Sequence, residues 1–460
     1  MAGEKRQSHK ENFAKDTITT HRGGRQLETK LAKIAQVAKE RPKERFTSLV
    51  HLLNVETLTE CHHELSGNKA SGIDNVTKAQ YEEKLSINIE SLHEKLRMMA
   101  YKPQAVRRVY IPKPGSDKKR PLGIPAYEDK IIQLAVSKIL SAIYEQDFLD
   151  CSYGFRPGRS CHDAIKELNN VIMAKKINWI VDADISGFFD HVDHNWMMKF
   201  LEVRIEDSKL LRIIARMLKA GIMDGKEHKT SLEGTPQGGI VSPILANIYL
   251  HYVLDLWFEK IVKRHLKGCA YIVRYCDDFV CCFQYESEAR KFYQMLASRL
   301  KKFNLDIAPD KSKIIEFGRF ATRNTKNKGR NKPDTFDFLG FTHYCGESRN
   351  SKFRVKRTTS RKKFKAALYK MKQWIKANRT TPAKQLLKET SARLISHYRY
   401  YGITDNGAAL SAYWYEVTKL LFKWINRRSQ RNSYTWDKFL LLLKANPLPS
   451  PKIYVSLLQS

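Results

Sequence analysis

Two short apolar segments in the middle of the chain predict its central strands. Residues 178–185 read NWIVDADI, a β-branched and apolar run followed by a glycine turn, which is typical of a buried strand. Residues 271–283 read YIVRYCDDFVCCF, a second apolar run that two aspartates interrupt. Because aspartate is a poor strand residue that tolerates turn geometry, we predict a strand, a tight turn at the aspartates and a second strand.

Helical periodicity predicts most of the other elements before residue 319. The chain becomes helix-like from Leu27 through Glu40, and a globular domain is predicted to begin at Phe46. Apolar residues at helical spacing predict five further helices. These lie in FTSLVHLLNVETLTECHHEL, IIQLAVSKILSAIY, HNWMMKFLEVRI, SKLLRIIARMLKAG and the segment from Pro243 to about Arg264. The mixed order of helices and strands predicts an α+β domain.

Residues 110–125, YIPKPGSDKKRPLGIP, predict a β-hairpin. Proline and glycine punctuate this segment, and Lys118, Lys119 and Arg120 lie near its middle. Such punctuation between apolar flanks is typical of a turn that joins two strands. The tip of the hairpin is therefore predicted to be cationic.

The C-terminal part of the chain is predicted to be basic and helical. Residues 319–380 contain 19 lysines and arginines but only three acidic residues. Within them, SRKKFKAALYKMKQWIKANR has Phe364, Leu368, Met371 and Ile375 at steps of three or four, which predicts an amphipathic helix with lysines on its other faces. ISHYRYYG and YWYEVTKLLFKWINRRSQRNSYTW predict further helices that are rich in aromatic residues and arginine.

Composition and charge narrow the class of partner. The chain has 460 residues, 42% of them hydrophobic, which is enough for two or three domains with a sizeable core. Its formal net charge is +34, an excess that is expected when the partner is a polyanion, although a basic charge can also serve solubility alone. No apolar run approaches the roughly 20 residues that span a bilayer, and the start of the chain lacks the apolar centre of a signal peptide. We therefore expect a soluble intracellular protein with no membrane partner.

The cysteines and the adjacent histidines do not predict a metal or disulfide framework. The eight cysteines include no Cys-x-x-Cys pair, so we expect reduced thiols rather than disulfides or a structural zinc site. His62 and His63 follow Cys61 directly, as half of a metal site could. Because the sequence offers no second pair, we interpret them as ordinary helix residues.

Three aspartates at predicted strand ends indicate a site for divalent cations. Asp184 ends one strand, and Asp277 with Asp278 forms the turn between two others, so all three could meet at one edge of a sheet. Phosphoryl transfer by two metal ions requires carboxylates that bind both cations about 3.5–4 Å apart, and oxygen ligands fit Mg²⁺. Asp182 alternates onto the same face as Asp184, so the pattern does not decide between them. A solvated turn is the alternative for the paired aspartates.

Several sequence blocks resemble those of a known enzyme family. VDADISGFFD, GTPQGGIVSPILANIYL, YIVRYCDDFV, APDKSKI and FDFLGF occur in the order and approximate spacing of the reverse-transcriptase blocks. GIDNVT, IPKPGSDKKRPLGIP and SYGFRPGRSCHDAI precede them, and HYRYYG and NRRSQRNSYTW follow them. Together these blocks resemble the bacterial group II intron-encoded reverse transcriptase and maturase proteins over roughly residues 46–450. The resemblance implies a right-hand polymerase with fingers and palm followed by an all-helical thumb, the maturase X domain.

The resemblance also implies a division of the chain into four parts. We expect a basic N-terminal extension at 1–45 and reverse transcriptase fingers and palm at 46–345. A thumb or maturase X domain is expected at 346–445 and a C-terminal tail at 446–460. We expect no His-Asn-His endonuclease domain, because paired cysteines are lacking after the thumb.

Individual residues receive roles through the resemblance. The catalytic residues would be Asp184, Asp277 and Asp278, and two Mg²⁺ ions would be bound by these three and by the carbonyl of Ile185. Nucleotide binding would involve charged side chains that neutralise the triphosphate, aromatics that exclude a 2′-hydroxyl, and a pocket glutamine. These are Lys113, Arg120, Phe188, Phe189, Gln237 and Lys311, with Lys313 as the alternative to Lys311 for assisting the leaving group. RNA would be bound by Arg361, Lys362, Lys363, Lys365, Arg427, Arg428 and Arg431.

Other residues near these blocks receive structural interpretations. Asp190 and Asp193 are expected in a turn or helix cap rather than as ligands. Arg156 could organise the fingers or contact the template. The aromatics of the predicted thumb are expected mainly in its core. Cys276 stands where these proteins usually have alanine, and because it is small and apolar we expect activity to survive.

The function implied is RNA-directed DNA polymerisation combined with binding of an intron RNA to assist splicing and retrohoming. The implied partners are group II intron RNA, an RNA template with a DNA or RNA primer, target DNA and deoxynucleotide triphosphates, and a homodimer is compatible with the resemblance. The expected location is the bacterial cytoplasm at the nucleoid. The alternatives are a reverse transcriptase that uses a non-intron RNA in defence or repair, and an RNA-binding splicing cofactor without polymerase activity.

Overall fold

The computed structural model describes residues 27–112, 119–224, 227–229, 233–234, 238–348, 350–428 and 433–457. Its helices in these residues are α1 (27–40), α2 (Val55–Glu64), α3 (Lys78–Glu82), α4 (Leu85–Arg97), α5 (Tyr127–Tyr144), α6 (Cys161–Ala174), α7 (His194–Glu202), α8 (Ser208–Leu218), α9 (Ser242–Leu250), α10 (Glu286–Lys302), α11 (Ala321–Asn327), α12 (Arg361–Ala377), α13 (Ala383–Tyr401), α14 (Gly407–Ile425) and α15 (Trp436–Ala445). Its strands are β1 (Val106–Pro112), β2 (Lys119–Ile124), β3 (Trp179–Asp184), β4 (Ile222–Asp224), β5 (Glu227–Lys229), β6 (Ala270–Tyr275), β7 (Asp278–Phe283), β8 (Lys313–Glu316), β9 (Phe336–Phe338), β10 (Phe341–Glu347) and β11 (Phe353–Thr359). This mixture confirms the predicted α+β content.

A four-stranded antiparallel sheet with the order β6-β7-β3-β8 contains the predicted central strands. The strand–turn–strand prediction for residues 271–283 is confirmed, because β6 ends at Tyr275 and β7 begins at Asp278. Side chains alternate between the two faces of a strand. Accordingly, Val181 and Ala183 belong to the largest hydrophobic core, whereas Ile180 belongs to a second core on the opposite face.

Helices cover one face of this sheet and build the largest core. The predicted helices near 131–144, 194–205 and 208–221 are confirmed as α5, α7 and α8. The helix predicted from Pro243 to about Arg264 is also confirmed, since α9 continues through π-helical turns and one 3₁₀ turn to His265. In the segment 46–65, by contrast, the regular helix begins only at Val55, where Asn54 accepts a hydrogen bond from Thr57 N at 2.9 Å and caps α2.

The predicted hairpin at 110–125 lies in a second sheet. β1 pairs antiparallel with β2 from Arg107 opposite Ile124 to Pro112 opposite Lys119. β1 also pairs in parallel with β4, which gives the order β2-β1-β4-β5. The tip of the hairpin, residues 113–118, lies outside the described residues.

The predicted boundary between residues 345 and 346 cuts through a strand, and the segment 346–445 is not all-helical. β10 pairs over its whole length with β11, from Phe341 opposite Thr359 to Glu347 opposite Phe353. In β11, Val355 and Arg357 are both fully buried. The basic composition of this segment hid its two-residue periodicity, so the helical region begins at α12 and not at residue 346.

Three long helices and α15 form a separate core at the C-terminal end. The apolar stripe predicted for α12 is confirmed, since Met371 and Ile375 are buried there and Phe364 and Leu368 pack against the same cluster. The aromatic residues divide as expected: Tyr413 and Trp424 are buried, whereas Tyr415 is 54% exposed.

The helix α1 packs against the globular region rather than extending from it. Ala38 is 1% exposed within the largest core, and Leu31 and Ile34 pack against that core. The predicted extension at 1–45 is therefore wrong for 27–40, and residues 1–26 lie outside the described part. All eight cysteines are free, and no helix in the described residues is long and apolar enough to cross a membrane.

Candidate active site

The predicted aspartates meet at one end of the two inner strands of the central sheet, where β3 ends and β7 begins. We call this end of the sheet, with Asp184, Asp277 and Asp278, the carboxylate edge. In the antiparallel pairing of β3 with β7, Asp184 lies directly opposite Asp278, and Asp277 precedes Asp278 in the turn. Side chains directly opposite each other in such a pair have Cβ atoms roughly 4.5–5.5 Å apart. Like charges at that separation destabilise a sheet, so the arrangement calls for a positive charge between the two carboxylates.

The surroundings of two carboxyl groups at this edge favour their protonated form. Burial, followed by repulsion from Asp182 and Asp277, raises the pKa of Asp278 to about 7, although a hydrogen bond from the Leu339 N–H opposes the shift. Burial and the negative charge of Asp337 also raise the pKa of Asp182 to about 7. A cation bound here would neutralise this concentration of negative charge.

The geometry distinguishes the two aspartates that the alternation left undecided. Asp182 lies one pleat further from the turn, opposite Val280 on one side and Lys313 on the other. Asp184 ends the strand, faces Asp278 and keeps 37% of its side chain exposed. Asp184 is therefore the one that lies at the strand end, next to the paired aspartates.

A positively charged side chain already contacts this carboxylate. The ammonium of Lys311, in a 3₁₀ turn just before β8, lies 2.5 Å from Asp184 Oδ2. The same segment fixes the end of β3, because Ala308 N donates to the Asp184 carbonyl and Ser186 N donates to the Asp306 carbonyl, each at 2.8 Å. Neither of these two bonds involves the carbonyl of Ile185.

The turn that carries Asp277 depends on a close backbone approach. Cys276 has a φ of 58°, a left-handed conformation that is uncommon for a residue other than glycine and is often found at functional sites. A Cβ atom at Gly154 would lie 2.4 Å from Cys276 Sγ and 2.6 Å from Cys276 N. Glycine is therefore required at position 154 for the turn to take this place.

A buried arginine that the sequence did not single out holds the same turn. Arg274 is fully buried and donates to the Cys276 carbonyl at 3.0 Å. Its guanidinium forms a bidentate pair with Asp255, at 2.7 and 2.5 Å, and also donates to Asn247 and Ser152. A strand arginine gives no sequence signal of this kind, because the partners come from distant segments. We identify Arg274 as a positioning residue for the aspartates.

Two further residues reach the carboxylate edge from β9 and the turn after it. Leu339, whose N–H donates to Asp278, has a φ of 49° and belongs to the block FDFLGF. Asp337 lies in β9 opposite Thr342 and contributes to the repulsion at Asp182. Asp337 was not predicted as part of the site, although its block was recognised; the block's LGF at 339–341 was interpreted as the segment that holds the primer end.

The predicted nucleotide-binding residues have different outcomes. Phe189 is half-buried beside the carboxylate edge, whereas Phe188 is 2% exposed and packs into the core. The Phe188 ring lies 5.2 Å from that of Phe189 between ring centroids, and its predicted nucleotide contact stays a prediction. Lys113 and Gln237 lie outside the described residues. For Arg120 the structure gives only the position in β2, opposite Ile111.

Structural roles are confirmed for two of the residues with open interpretations. Arg156 is 7% exposed, pairs with Glu145 at 3.0 Å and donates to the carbonyls of Leu149 and Ser152, so it organises the fold. Asp193 caps α7 by accepting from Trp196 N at 2.8 Å, as expected.

The predicted RNA-binding side chains lie on the C-terminal helices. Arg361, Lys362, Lys363 and Lys365 are all exposed near the start of α12. Arg427 is exposed at the end of α14 with its guanidinium over Trp424, whereas Arg428 is partly buried and Arg431 lies outside the described residues. The exposed set is a basic surface that can contact phosphates.

Comparison with known proteins agrees with the geometry of the site. Over 235 residues the chain is 41% identical to group II intron-encoded protein LtrA of Lactococcus lactis subsp. cremoris, a match that covers 49% of this chain and 38% of LtrA. It is 35% identical over 245 residues to protein YkfC of Escherichia coli (strain K12), covering 52% of this chain and 63% of YkfC. It is 28% identical over 153 residues to nuclear intron maturase 4, mitochondrial, of Arabidopsis thaliana.

The chain thus spans less than two thirds of the length of each of these relatives. Each of the three matches covers about half of this chain or less. The family model described as reverse transcriptase (RNA-dependent DNA polymerase) matches residues 111–343. These residues contain β3, the turn with Asp277 and Asp278, and the Leu339 segment. Because that match covers half of the chain, the protein belongs to the reverse transcriptase family.

Proposed function

We propose that this protein is an RNA-directed DNA polymerase encoded by a group II intron, and that it also binds the intron RNA as a maturase. The observation that carries the polymerase proposal is Asp184 directly opposite Asp278 at an open sheet edge. Family membership supports the same chemistry. The names of two relatives, an intron-encoded protein and an intron maturase, support the intron role.

Two magnesium ions would be held by Asp184, Asp277 and Asp278, with the Ile185 carbonyl completing the set. The donors fit, since carboxylate and carbonyl oxygens are the ligands that Mg²⁺ prefers, and burial together with the neighbouring carboxylates raises the pKa of Asp278 to about 7. When bound, the ions supply activation of a primer 3′-hydroxyl and neutralisation of the phosphate charge. The chain's own contribution is to hold the carboxylates in place through Gly154 and Arg274.

The nucleotide side of the site is proposed from the resemblance and from two described residues. The Phe189 ring would exclude a 2′-hydroxyl, as the resemblance implies, and its contact with the Phe188 ring would keep it in position. Lys113, Arg120 and Gln237 would bind the triphosphate and the pocket side of the deoxynucleotide. Lys311, which contacts Asp184 before substrate is present, would move to the phosphates and neutralise the leaving group.

The basic surface supports the RNA-binding part of the proposal. Lysines and arginines near the start of α12 are exposed, and the formal net charge of the chain is +34. Such a surface would bind the intron RNA, the RNA template with its primer and the target DNA mainly through phosphates. The fingers, palm and thumb of a right-hand polymerase would correspond to the β1–β2 sheet, the central sheet and the helices α12–α15. The cytoplasm at the nucleoid is the matching location.

A primer-extension assay on a simple primed RNA template tests the polymerase proposal. Asp277→Ala should abolish extension and leave RNA affinity nearly unchanged, because the carboxylate is needed for chemistry and not for phosphate contacts. Asp190→Ala is the matched control, since Asp190 is an exposed acidic residue of the neighbouring turn. Extension retained by Asp277→Ala would overturn the metal assignment.

The wild-type protein in the same assay separates the rival functions. Absence of extension by the folded wild type would favour an RNA-binding splicing cofactor. Sequencing the RNA that co-purifies with an active protein distinguishes an intron RNA from the RNA of a defence or repair system. Intron RNA is the result that the proposal predicts.

A further inference from the structure

The end of α2 and the short helix α3 bring together two histidines and a glutamate. One ring nitrogen from each of His62 and His63 and one carboxylate oxygen of Glu82 lie within 4.8 Å of one another. In the part of the chain that the structure describes, no other group of three His, Cys, Asp or Glu side chains has such proximity. The carboxylate edge of the central sheet is formed by other elements, so this cluster is separate from the proposed polymerase chemistry.

His62 is held with one nitrogen free to bind a ligand. The residue is fully buried, and its Nδ1 lies 3.0 Å from the hydroxyl of Tyr127. Its Nε2 is buried and has no hydrogen-bond partner among the described residues. A buried polar atom without a partner costs free energy and calls for an explanation. Histidines that bind metals commonly make an orienting hydrogen bond through the other ring nitrogen, and the contact with Tyr127 leaves Nε2 of His62 for a metal ion.

The docking of α3 explains why Glu82 reaches the histidines. Lys78, one turn before Glu82 on the same helical face, donates to the carbonyls of His63 and Leu65 at 3.0 and 2.8 Å. These bonds fasten α3 to the C-terminal end of α2. Thr77 and Gln80 form a capping box that fixes the start of α3. The position of Glu82 is therefore determined by the packing of two helices and not by its own flexibility.

We propose that His62, His63 and Glu82 bind one divalent ion of the zinc class and so tie α2 to α3. Two imidazoles and one carboxylate form a recognised zinc donor set, with water in the fourth position. Imidazole ligands favour Zn²⁺, Ni²⁺ and Co²⁺, whereas Mg²⁺ prefers oxygen. With Zn–N bonds of about 2.0–2.1 Å, tetrahedral donors lie roughly 3.4 Å apart. Closing the site therefore requires only small movements of His63 and Glu82, whose side chains are exposed.

Cobalt binding to the full chain tests the site with a spectroscopic signal. The protein should carry Asp184→Asn, which removes a ligand from the carboxylate edge. We expect one equivalent of Co²⁺ with the visible absorption of a tetrahedral or five-coordinate ion, lacking the charge-transfer band that a thiolate ligand would add. Zn²⁺ should displace the Co²⁺ and raise the Tm by about 2–4 °C.

Two variants at exposed positions keep the test independent of folding. His63→Ala and Glu82→Gln should each weaken Co²⁺ binding ~10-fold or more and abolish the effect of Zn²⁺ on the Tm. His93→Ala on α4 is the control and should bind as the parent does. Unchanged Co²⁺ affinity in both site variants, or no stoichiometric binding by the parent, would overturn the proposal. Neither result bears on the polymerase proposal, which depends on other residues.

Discussion

The carboxylate edge of the central sheet and the basic surface at the start of α12 are built in opposite ways. At the edge, Asp184 lies opposite Asp278, Lys311 contacts Asp184, and a fully buried arginine holds the adjoining turn. On α12, Arg361, Lys362, Lys363 and Lys365 are exposed, and none of the four forms a salt bridge with another residue in the described ranges.

This difference shows how each region would respond to mutation. Metal-dependent chemistry requires donor atoms within tenths of an ångström of their places, so a single replacement at the edge removes the whole effect. Phosphate binding is a sum of weak and similar contacts, each of which depends on salt. We therefore expect one replacement at the carboxylate edge to remove most of the polymerase activity. Each replacement on α12 should weaken RNA binding slightly, and these losses should add.

The largest effect is expected for Asp184→Asn. This change keeps the shape of the side chain but removes the charge that would bind Mg²⁺, so primer extension should fall roughly 10³-fold or more. RNA affinity should stay within about twofold, because the phosphate contacts lie elsewhere. Single-turnover extension and filter binding measure the two quantities. A parallel loss of RNA affinity would mean that the edge and the basic surface are not separate.

A smaller effect at the edge is expected for Gly154→Ala. The added methyl would clash with Cys276 Sγ and N, so the turn has to shift and extension should slow roughly 10- to 100-fold with little change in KM for the nucleotide. Cys276→Ala is the matched control, since it removes bulk from the same turn and should keep extension within about threefold. Equal rates for the two variants would show that the close approach at Gly154 has no role.

The pKa of Asp278 predicts an effect on stability in the absence of metal. The pKa of Asp278 is about 7 in the folded protein and about 3.9 in the unfolded chain. A carboxyl group with a raised folded pKa contributes its full stabilisation only below the unfolded pKa, and this contribution is lost as the pH rises through the folded pKa. Asp278→Asn removes the penalty, so without Mg²⁺ it should stabilise the protein by about 1–2 kcal/mol at pH 8 and by less at pH 5.5.

Chemical denaturation at both pH values measures that difference. Asp306→Asn, an exposed carboxylate near the same edge, is the control and should change stability little at either pH. If Asp278→Asn lowered the free energy of unfolding at pH 8, the conclusion that the ionised Asp278 destabilises the metal-free protein would be wrong.

The smallest effects are expected on α12. Lys362→Ala should weaken RNA binding only a few-fold and reduce the slope of log affinity against log salt by about one unit. The triple change of Lys362, Lys363 and Lys365 to alanine should lower the slope by roughly three units, since the contacts add. Lys302→Ala on α10 provides an exposed lysine outside the surface for comparison. A single α12 change that abolished binding would show a specific contact instead.

The carboxylate edge could be predicted from the sequence because the patterns that indicate it lie within short segments. Alternation placed Asp182 and Asp184 on one face of β3, and the poor strand propensity of aspartate placed the turn at Asp277. The choice between Asp182 and Asp184 required the register with β7, which no local pattern contains. Arg274 was missed for the same reason, since Asp255, Asn247 and Ser152 meet it only in the folded chain.

The features that the sequence did not predict also have physical causes. The segment before α12 was predicted as part of a helical thumb through the family resemblance, although β11 alternates and buries Arg357. Phe188 and Phe189 are chemically alike, so only the packing shows which ring faces the core.

Manganese in place of magnesium gives the most direct test of the proposed metal site. Crystals of the full chain with a primed RNA template and Mn²⁺ should show anomalous scattering at the sheet edge, within coordination distance of both Asp184 and Asp277. The account predicts that Lys311 has then left Asp184. Manganese bound only elsewhere, with the Lys311–Asp184 contact intact, would contradict the assignment of these aspartates as ligands.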